Sequence, residues 1–163
     1  MRSFLFKIIN IFIKLQFPQV EQVTTQELAE LLVSTEIDRG NKELKPLYLL
    51  DARTKQEYTV SHLQNAERVN FNQSDFTDDL VKRLSISPDT TIIVYCSVGY
   101  RSAIVTKQLQ KAGFTKVFNL EGGIFSWANA ENPVFEFLHQ TSFVHPYNEI
   151  WGKLLKNQKS KSK

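Results

Sequence analysis

Residues 90–103 read TTIIVYCSVGYRSA, and the reading of this stretch decides the fold. Its first half, Thr90 to Tyr95, is β-branched and apolar on both faces, as in a strand covered on both sides within a parallel sheet. The chain then leaves the strand at Cys96, passes Gly99 and Arg101, and enters a helical pattern over Ser102 to Ala112. Gly113 stands where a C-cap glycine belongs. A strand that hands over directly to a helix is one half of a βαβ unit.

The same alternation continues on either side. Thr24 to Glu27 has the spacing of a capping box, and Leu28, Leu31 and Leu32 follow at helical spacing. Residues 34–46 read as a polar loop. Leu47 to Leu50 is a compact apolar strand that stops at Asp51, and Thr54 to Glu57 repeats the capping-box spacing. Glu67 to Phe71 supplies another short strand, and Phe76 to Leu84 an amphipathic helix. Lys116 to Leu120 makes a last strand, followed by Gly122-Gly123 and a short helix through Trp127. Strands alternating with helices predict an α/β fold, a parallel sheet flanked by helices on both faces. Ligands of such sheets bind outside the carboxyl ends of the strands, where Asp51 and Cys96 both fall.

The chain's 163 residues suffice for one domain with a real core. Hydrophobic residues at 42% and charged ones at 23% place it among ordinary soluble globular proteins, and nineteen aromatic side chains argue against disorder. One cysteine excludes an internal disulfide, a cysteine-rich zinc site and intramolecular dithiol chemistry, so a reducing, cytoplasmic setting is the default. The net charge of +3 is uneven. Arg2, Lys7 and Lys14 in residues 1–20 and five lysines in residues 153–163 leave 12 basic against 17 acidic residues between them, a net of −5. The body therefore lacks a basic stripe for nucleic acid.

Residues 1–18 read as an amphipathic helix, with Lys7, Asn10 and Lys14 on a narrow polar face and Pro18 at its end. Its apolar run is too short to span a bilayer. Two readings stand: a helix packed on the domain's own surface, or a peripheral membrane contact aided by the basic residues. The domain itself is placed at 20–130, a C-terminal extension at 131–152 and a basic, disordered tail at 153–163.

Cys96 lies in a strand-to-helix turn facing a helix N-terminus, where unpaired amides and the helix dipole favour an anion. Arg101 adds a permanent positive charge, and Gly99 lets successive amides converge in a small nest. Together they favour a thiolate, and a nucleophilic sulfur among donors is a catalytic arrangement. A lone cysteine at a strand end is otherwise a buried packing residue. The glycine, the arginine and the helix start favour the chemical reading.

The loop Cys96-Ser97-Val98-Gly99-Tyr100-Arg101-Ser102 resembles the active-site loop of rhodanese-type sulfurtransferases. Leu50-Asp51-Ala52-Arg53 with Glu57-Tyr58 and Ser61-His62-Leu63, then Asn65-Ala66 with Val69-Asn70, and Leu120 to Trp127 resemble three further blocks of that family, in order. Ser61 stands where the family usually has glycine, and Gln64-Asn65 replaces its Pro-Gly turn. The resemblance covers about residues 20–130 and implies a single rhodanese-like domain with a five-stranded parallel sheet. It also implies that Cys96 takes the outer sulfur of a donor such as thiosulfate as a persulfide and passes it to a thiol or to cyanide. Ser97, Val98, Gly99, Tyr100, Arg101 and Ser102 would then bind the substrate, Arg101 holding the anionic donor, with no metal or organic cofactor. Related phosphatases place five residues between cysteine and arginine; the four here make a smaller ring that favours sulfur over phosphate.

Asp51 reads as a support that fixes loop or backbone amides, and Arg53 as the ion-pair partner of Glu57. His62 reads as a turn or packing residue without neighbouring metal ligands. The aromatic residues of the extension, Phe135 to Trp151, read as a docking segment or a partner surface. A rhodanese-like binding module without catalysis, tethered or recruited through its terminal segments, is the rival reading. Retention of cysteine, glycine and arginine together favours the enzyme. Oligomeric state is not legible.

Overall fold

The computed structural model describes residues 2–37, 47–70, 72–73 and 75–156. Five strands, β1 (Gln22–Val23), β2 (Leu47–Asp51), β3 (Glu67–Arg68), β4 (Thr91–Tyr95) and β5 (Val117–Leu120), form one parallel sheet in the order β1-β5-β4-β2-β3. The stretch TTIIVY supplies its central strand. Leu50 lies opposite Val94 and Asp51 opposite Tyr95, so β2 and β4 end level.

The sheet is buried on both faces because side chains alternate along its strands. Leu49, Ile93, Tyr95 and Leu120 join Leu28 of α2 (Thr25–Ile37) and Ile124, Phe125 and Trp127 of α6 (Gly123–Asn129). Leu50, Ile92, Val94 and Val117 pack with Phe76 and Leu80 of α4 (Phe76–Leu84) and with Val105 and Leu109 of α5 (Tyr100–Lys111). The expected α/β architecture with helices on both faces is therefore the one observed. Both capping boxes form, Thr24 with Glu27 and Thr54 with Glu57, the latter opening α3 (Lys55–Val60).

Several boundaries differ from the sequence reading. α2 continues to Ile37, four residues into the expected loop, and residues 38–46 lie outside the described residues. β3 is two residues long, and Phe71 also lies outside the described residues. The Gln64-Asn65 turn forms with Asn65 at φ 58°, a left-handed conformation that asparagine tolerates.

α1 (Arg2–Gln16) is docked on the domain. Ile13 is 1% exposed against Val20 and Ala103, Asn10 donates to Glu121 at 2.8 Å, and Lys14 lies 3.6 Å from the same carboxylate. Its opposite side leaves Phe4, Leu5, Ile8, Ile11, Phe12 and Leu15 exposed. Of the two readings of this helix, packing on the domain is observed, and an apolar arc remains uncovered. No helix among the described residues is long and apolar enough to cross a membrane.

The C-terminal extension also docks. A hairpin of β6 (Val134–Glu136) and β7 (His139–Thr141) precedes α7 (Glu149–Gly152), whose Asn148 cap accepts from the Trp151 amide at 3.0 Å. Val134, Val144, Leu154 and Leu155 are buried in the core. Packed chain thus runs past the expected tail boundary at 153, because two leucines there carry it inward; residues 157–163 lie outside the described residues.

Candidate active site

Cys96 directly follows β4, and α5 starts four residues later with Gly99 as its N-cap. Gly99 adopts φ 101°, which turns its amide back towards the sulfur: the Gly99 N–H lies 3.2 Å from Cys96 Sγ. The Gly99 carbonyl is held from the other side by Asn119 Nδ2 at 3.0 Å. The loop is anchored beneath by α6, whose Ile124 and Phe125 amides donate to the Cys96 and Ser97 carbonyls at 2.9 and 3.1 Å. That approach needs Gly123, since a Cβ there would lie 2.8 Å from the Ser97 backbone.

Two ion pairs support the loop, and their pairing corrects the sequence reading. Arg53 binds Asp51, not Glu57: its Nε and Nη2 lie 3.0 and 2.7 Å from the carboxylate, and its backbone N–H donates to the same group at 2.9 Å. Both side chains are fully buried, and Arg53 also donates to the Ser61 carbonyl. Burial opposes the Arg53 charge, but Asp51 outweighs it and holds the guanidinium above its ordinary range. Asp51 thus accepts from a backbone amide, that of Arg53. His62 stacks on Tyr58, with ring centroids 4.3 Å apart.

Glu57 instead reaches across to the loop. Arg101 Nη1 and Nη2 donate to its two oxygens at 2.9 and 2.7 Å, and the Ser97 hydroxyl donates at 2.7 Å. The reason is local. The capping box turns the Glu57 carboxylate to the start of α3, where Arg101 faces it, whereas Asp51 already occupies Arg53. Burial alone would raise the Glu57 carboxyl, but bonds from Arg101, Thr54 and Ser97 prevail and hold it at about 2. Arg101 is correspondingly pushed above its ordinary range by Glu57, against the effect of burial. The Tyr147 ring lies 5.0 Å from its guanidinium.

Cys96, Ser97, Val98, Tyr100 and Arg101 line a cavity of about 570 Å³. Its remaining walls are Ile8, Ile9, Phe12 and Ile13 of α1, with Tyr147 and Trp151 of the extension. Tyr100 carries α1 at the rim, its ring 6.1 Å from Phe12 and 5.6 Å from Phe17. Cys96 is 1% exposed at the floor. Of the residues expected to bind substrate, Gly99 offers its amide to the sulfur, while Ser102 is buried behind the loop and its hydroxyl has no partner. Asp51 and Arg53 are not in the cavity wall. Glu57 and the two terminal segments are additions that the sequence reading did not place at the site. The Thr54–Glu57 spacing hid the first, because a carboxylate already explained as a cap has spare oxygen lone pairs. Among the described residues no cluster of His, Cys, Asp or Glu could hold a metal.

With Asp51–Arg53 and Glu57–Arg101 each paired, the loop amides and the start of α5 supply the remaining positive partial charge beside Cys96. A buried cysteine sulfur with an amide aimed at it lies in the wall of a cavity, an arrangement that group transfer can use.

Comparisons with known proteins agree with this geometry. Residues 24–130 match the model of the rhodanese-like domain. The chain is 32% identical over 111 residues to the probable adenylyltransferase/sulfurtransferase MoeZ of Mycobacterium tuberculosis, covering 68% of this chain and 25% of that protein. It is 34% identical over 84 residues to a tRNA uridine(34) hydroxylase of Onion yellows phytoplasma, covering 51% of this chain and 27% of that one. The chain spans about a quarter of the length of these curated relatives. Among solved structures, a rhodanese-like domain protein of Staphylococcus aureus aligns with TM-score 0.51 and 28% identity over 66% of this chain and 91% of that one. A thiosulfate sulfurtransferase of Pseudomonas aeruginosa shares the fold with TM-score 0.61 and 23% identity, over 80% of this chain and 22% of that one. The matched residues include the strand, loop and helix around Cys96, and the chain belongs to the rhodanese-like domain family.

Proposed function

We propose that the chain is a sulfurtransferase that carries sulfane sulfur on Cys96. The observation that supports this most directly is the sulfur's position, after the central strand and under the Gly99 amide at the start of α5. The Cys96 thiolate attacks the outer sulfur of a donor such as thiosulfate. The donor S–S bond breaks, sulfite departs with its electron pair, and Cys96 keeps a persulfide. An acceptor thiolate, or cyanide in an assay, then attacks the outer sulfur and returns Cys96 as thiolate. Sulfur is transferred without any net change in electron count, and the single cysteine suffices.

The test is intact-mass measurement after incubation with thiosulfate or an organic persulfide. One added sulfur atom on Cys96, removed by cyanide and absent from Cys96→Ser, is the expected result. Failure of several donors to add sulfur at neutral pH refutes the proposal.

One observation favours the rival reading, a module attached through its terminal segments. The exposed apolar arc of α1 adjoins Arg2, Lys7 and Lys14, the pattern of a helix lying on an anionic bilayer. Attachment predicts co-sedimentation with vesicles rich in anionic phospholipid, lost on removal of residues 1–18. A purely non-catalytic role further predicts that Cys96→Ser leaves the biological role intact.

A further inference from the structure

We propose that the acceptor of the Cys96 sulfur is an apolar thiol, bearing an alkyl or aryl group that lies in the cleft between α1 and the C-terminal extension. The inference rests on the sulfurtransferase reading and names the substrate class of that site. The cavity of about 570 Å³ falls within the range of small-molecule sites and has Cys96 in its wall. Among the described residues, the wall above the loop is apolar or aromatic: Ile8, Ile9, Phe12, Ile13, Tyr147 and Trp151. Among the described residues, the one charged side chain in the wall is Arg101. Its guanidinium is engaged by both oxygens of Glu57 and by Ser97 Oγ at 2.9 Å, and is covered by the Tyr147 ring. A hydrophilic thiol with carboxylates finds no uncommitted cation among the described residues of this wall, and its charges lose hydration on entry. An apolar thiol gains from the same burial.

The apolar walls above the loop, from α1 and the C-terminal extension, lie outside the 24–130 family match, whereas the loop residues Cys96 to Arg101 lie within it. α1 is held there by Asn10 and Lys14 on Glu121, and Gly99 would bring a Cβ 3.3 Å from the end of Ile13. The helix therefore sits directly on the reactive loop.

The step is a thiol exchange at sulfur. The acceptor thiolate forms a bond to the outer persulfide sulfur, the Cys96 Sγ–S bond breaks, and its electron pair stays on Sγ. The products are an organic persulfide and the Cys96 thiolate, with no oxidant or reductant consumed.

The experiment loads the full chain with sulfur, removes the donor, and follows single-turnover transfer to ethanethiol, propanethiol, butanethiol and hexanethiol. Thiol acidity is nearly constant along such a series, so nucleophilicity is matched and only apolar surface changes. Complete burial of one CH₂ contributes about 0.8 kcal/mol, so the second-order rate constant is expected to rise roughly two- to fourfold per methylene. Ile8→Asn and Phe12→Asn alter half-exposed side chains, so folding is not at stake, and both are expected to flatten the series. A loaded enzyme with equal or falling rates along the series overturns the inference alone. Unflattened series in both variants also overturn it. Absence of any Cys96 persulfide overturns the sulfurtransferase reading, and this inference with it.

Discussion

Replacing Glu57 by glutamine tests the ion-pair architecture of the site. In the wild type this carboxylate accepts two bonds from Arg101, one from Ser97 and two from Thr54. Glutamine keeps the shape but offers one acceptor oxygen, and it turns an N–H₂ donor towards a guanidinium that only donates. The side chain is 2% exposed and Arg101 21%, so water compensates poorly. Removing one partner of a buried pair costs about 3–5 kcal/mol. The carboxyl, held at about 2 against an ordinary 4.5, independently corresponds to about 3 kcal/mol near neutral pH. For a domain of this size that lowers Tm by roughly 6–12 °C.

The pH dependence has a definite sign. A depressed carboxylate stabilises the fold fully above its unfolded value near 4.5, and the contribution disappears as pH falls from there through about 2. The gap between wild type and Glu57→Gln is therefore expected to be constant from pH 6 to 7.5 and to shrink by about 2 kcal/mol at pH 3. Thermal and urea unfolding followed by circular dichroism measures both quantities. A Tm change under about 2 °C at pH 7, or a gap that does not narrow in acid, refutes the argument that Glu57 is an ionised keystone of the loop.

Other expectations address the rest of the site. Gly123→Ala forces a side chain at φ 57° against the Ser97 backbone, so urea unfolding should show a loss of about 2 kcal/mol or more, with slower persulfide loading. Ile13→Ala empties a buried contact under α1 and should cost about 2–4 kcal/mol in local stability, read as faster amide exchange along α1 with core protection retained. Arg101→Gln strands the buried Glu57 charge, and its Tm should fall by an amount comparable to that of Glu57→Gln. The double variant should lose much less than the sum, because both changes remove one interaction.

Local chemistry made much of this protein readable from sequence. A β-branched run can only be comfortable inside a covered sheet, and the two threonine-to-glutamate spacings mark helix starts by hydrogen bonds three residues apart. The turn at Cys96 was legible for the same reason: Gly99 permits the left-handed bend that aims its own amide at the sulfur. The two-residue strand β1 is not legible in the sequence, and β3 starts where the sequence reading puts it, at Glu67, but is shorter, since pairing with a neighbour and not composition makes them strands.

Side-chain partnership was decided only by tertiary structure. Sequence proximity suggested Arg53 with Glu57, yet Asp51 captures Arg53 and Glu57 meets Arg101, 44 residues away. Charges pair with whichever opposite group the fold brings within reach, and no local pattern encodes that distance. The same holds for the cleft. The sequence by itself determined the alternation of strands and helices, the loop and the place of Cys96 in it, because each follows from interactions within a few residues. Which chain segments cover Cys96, and that the cover is apolar, was decided only when α1 and the extension packed from opposite ends of the chain over that loop.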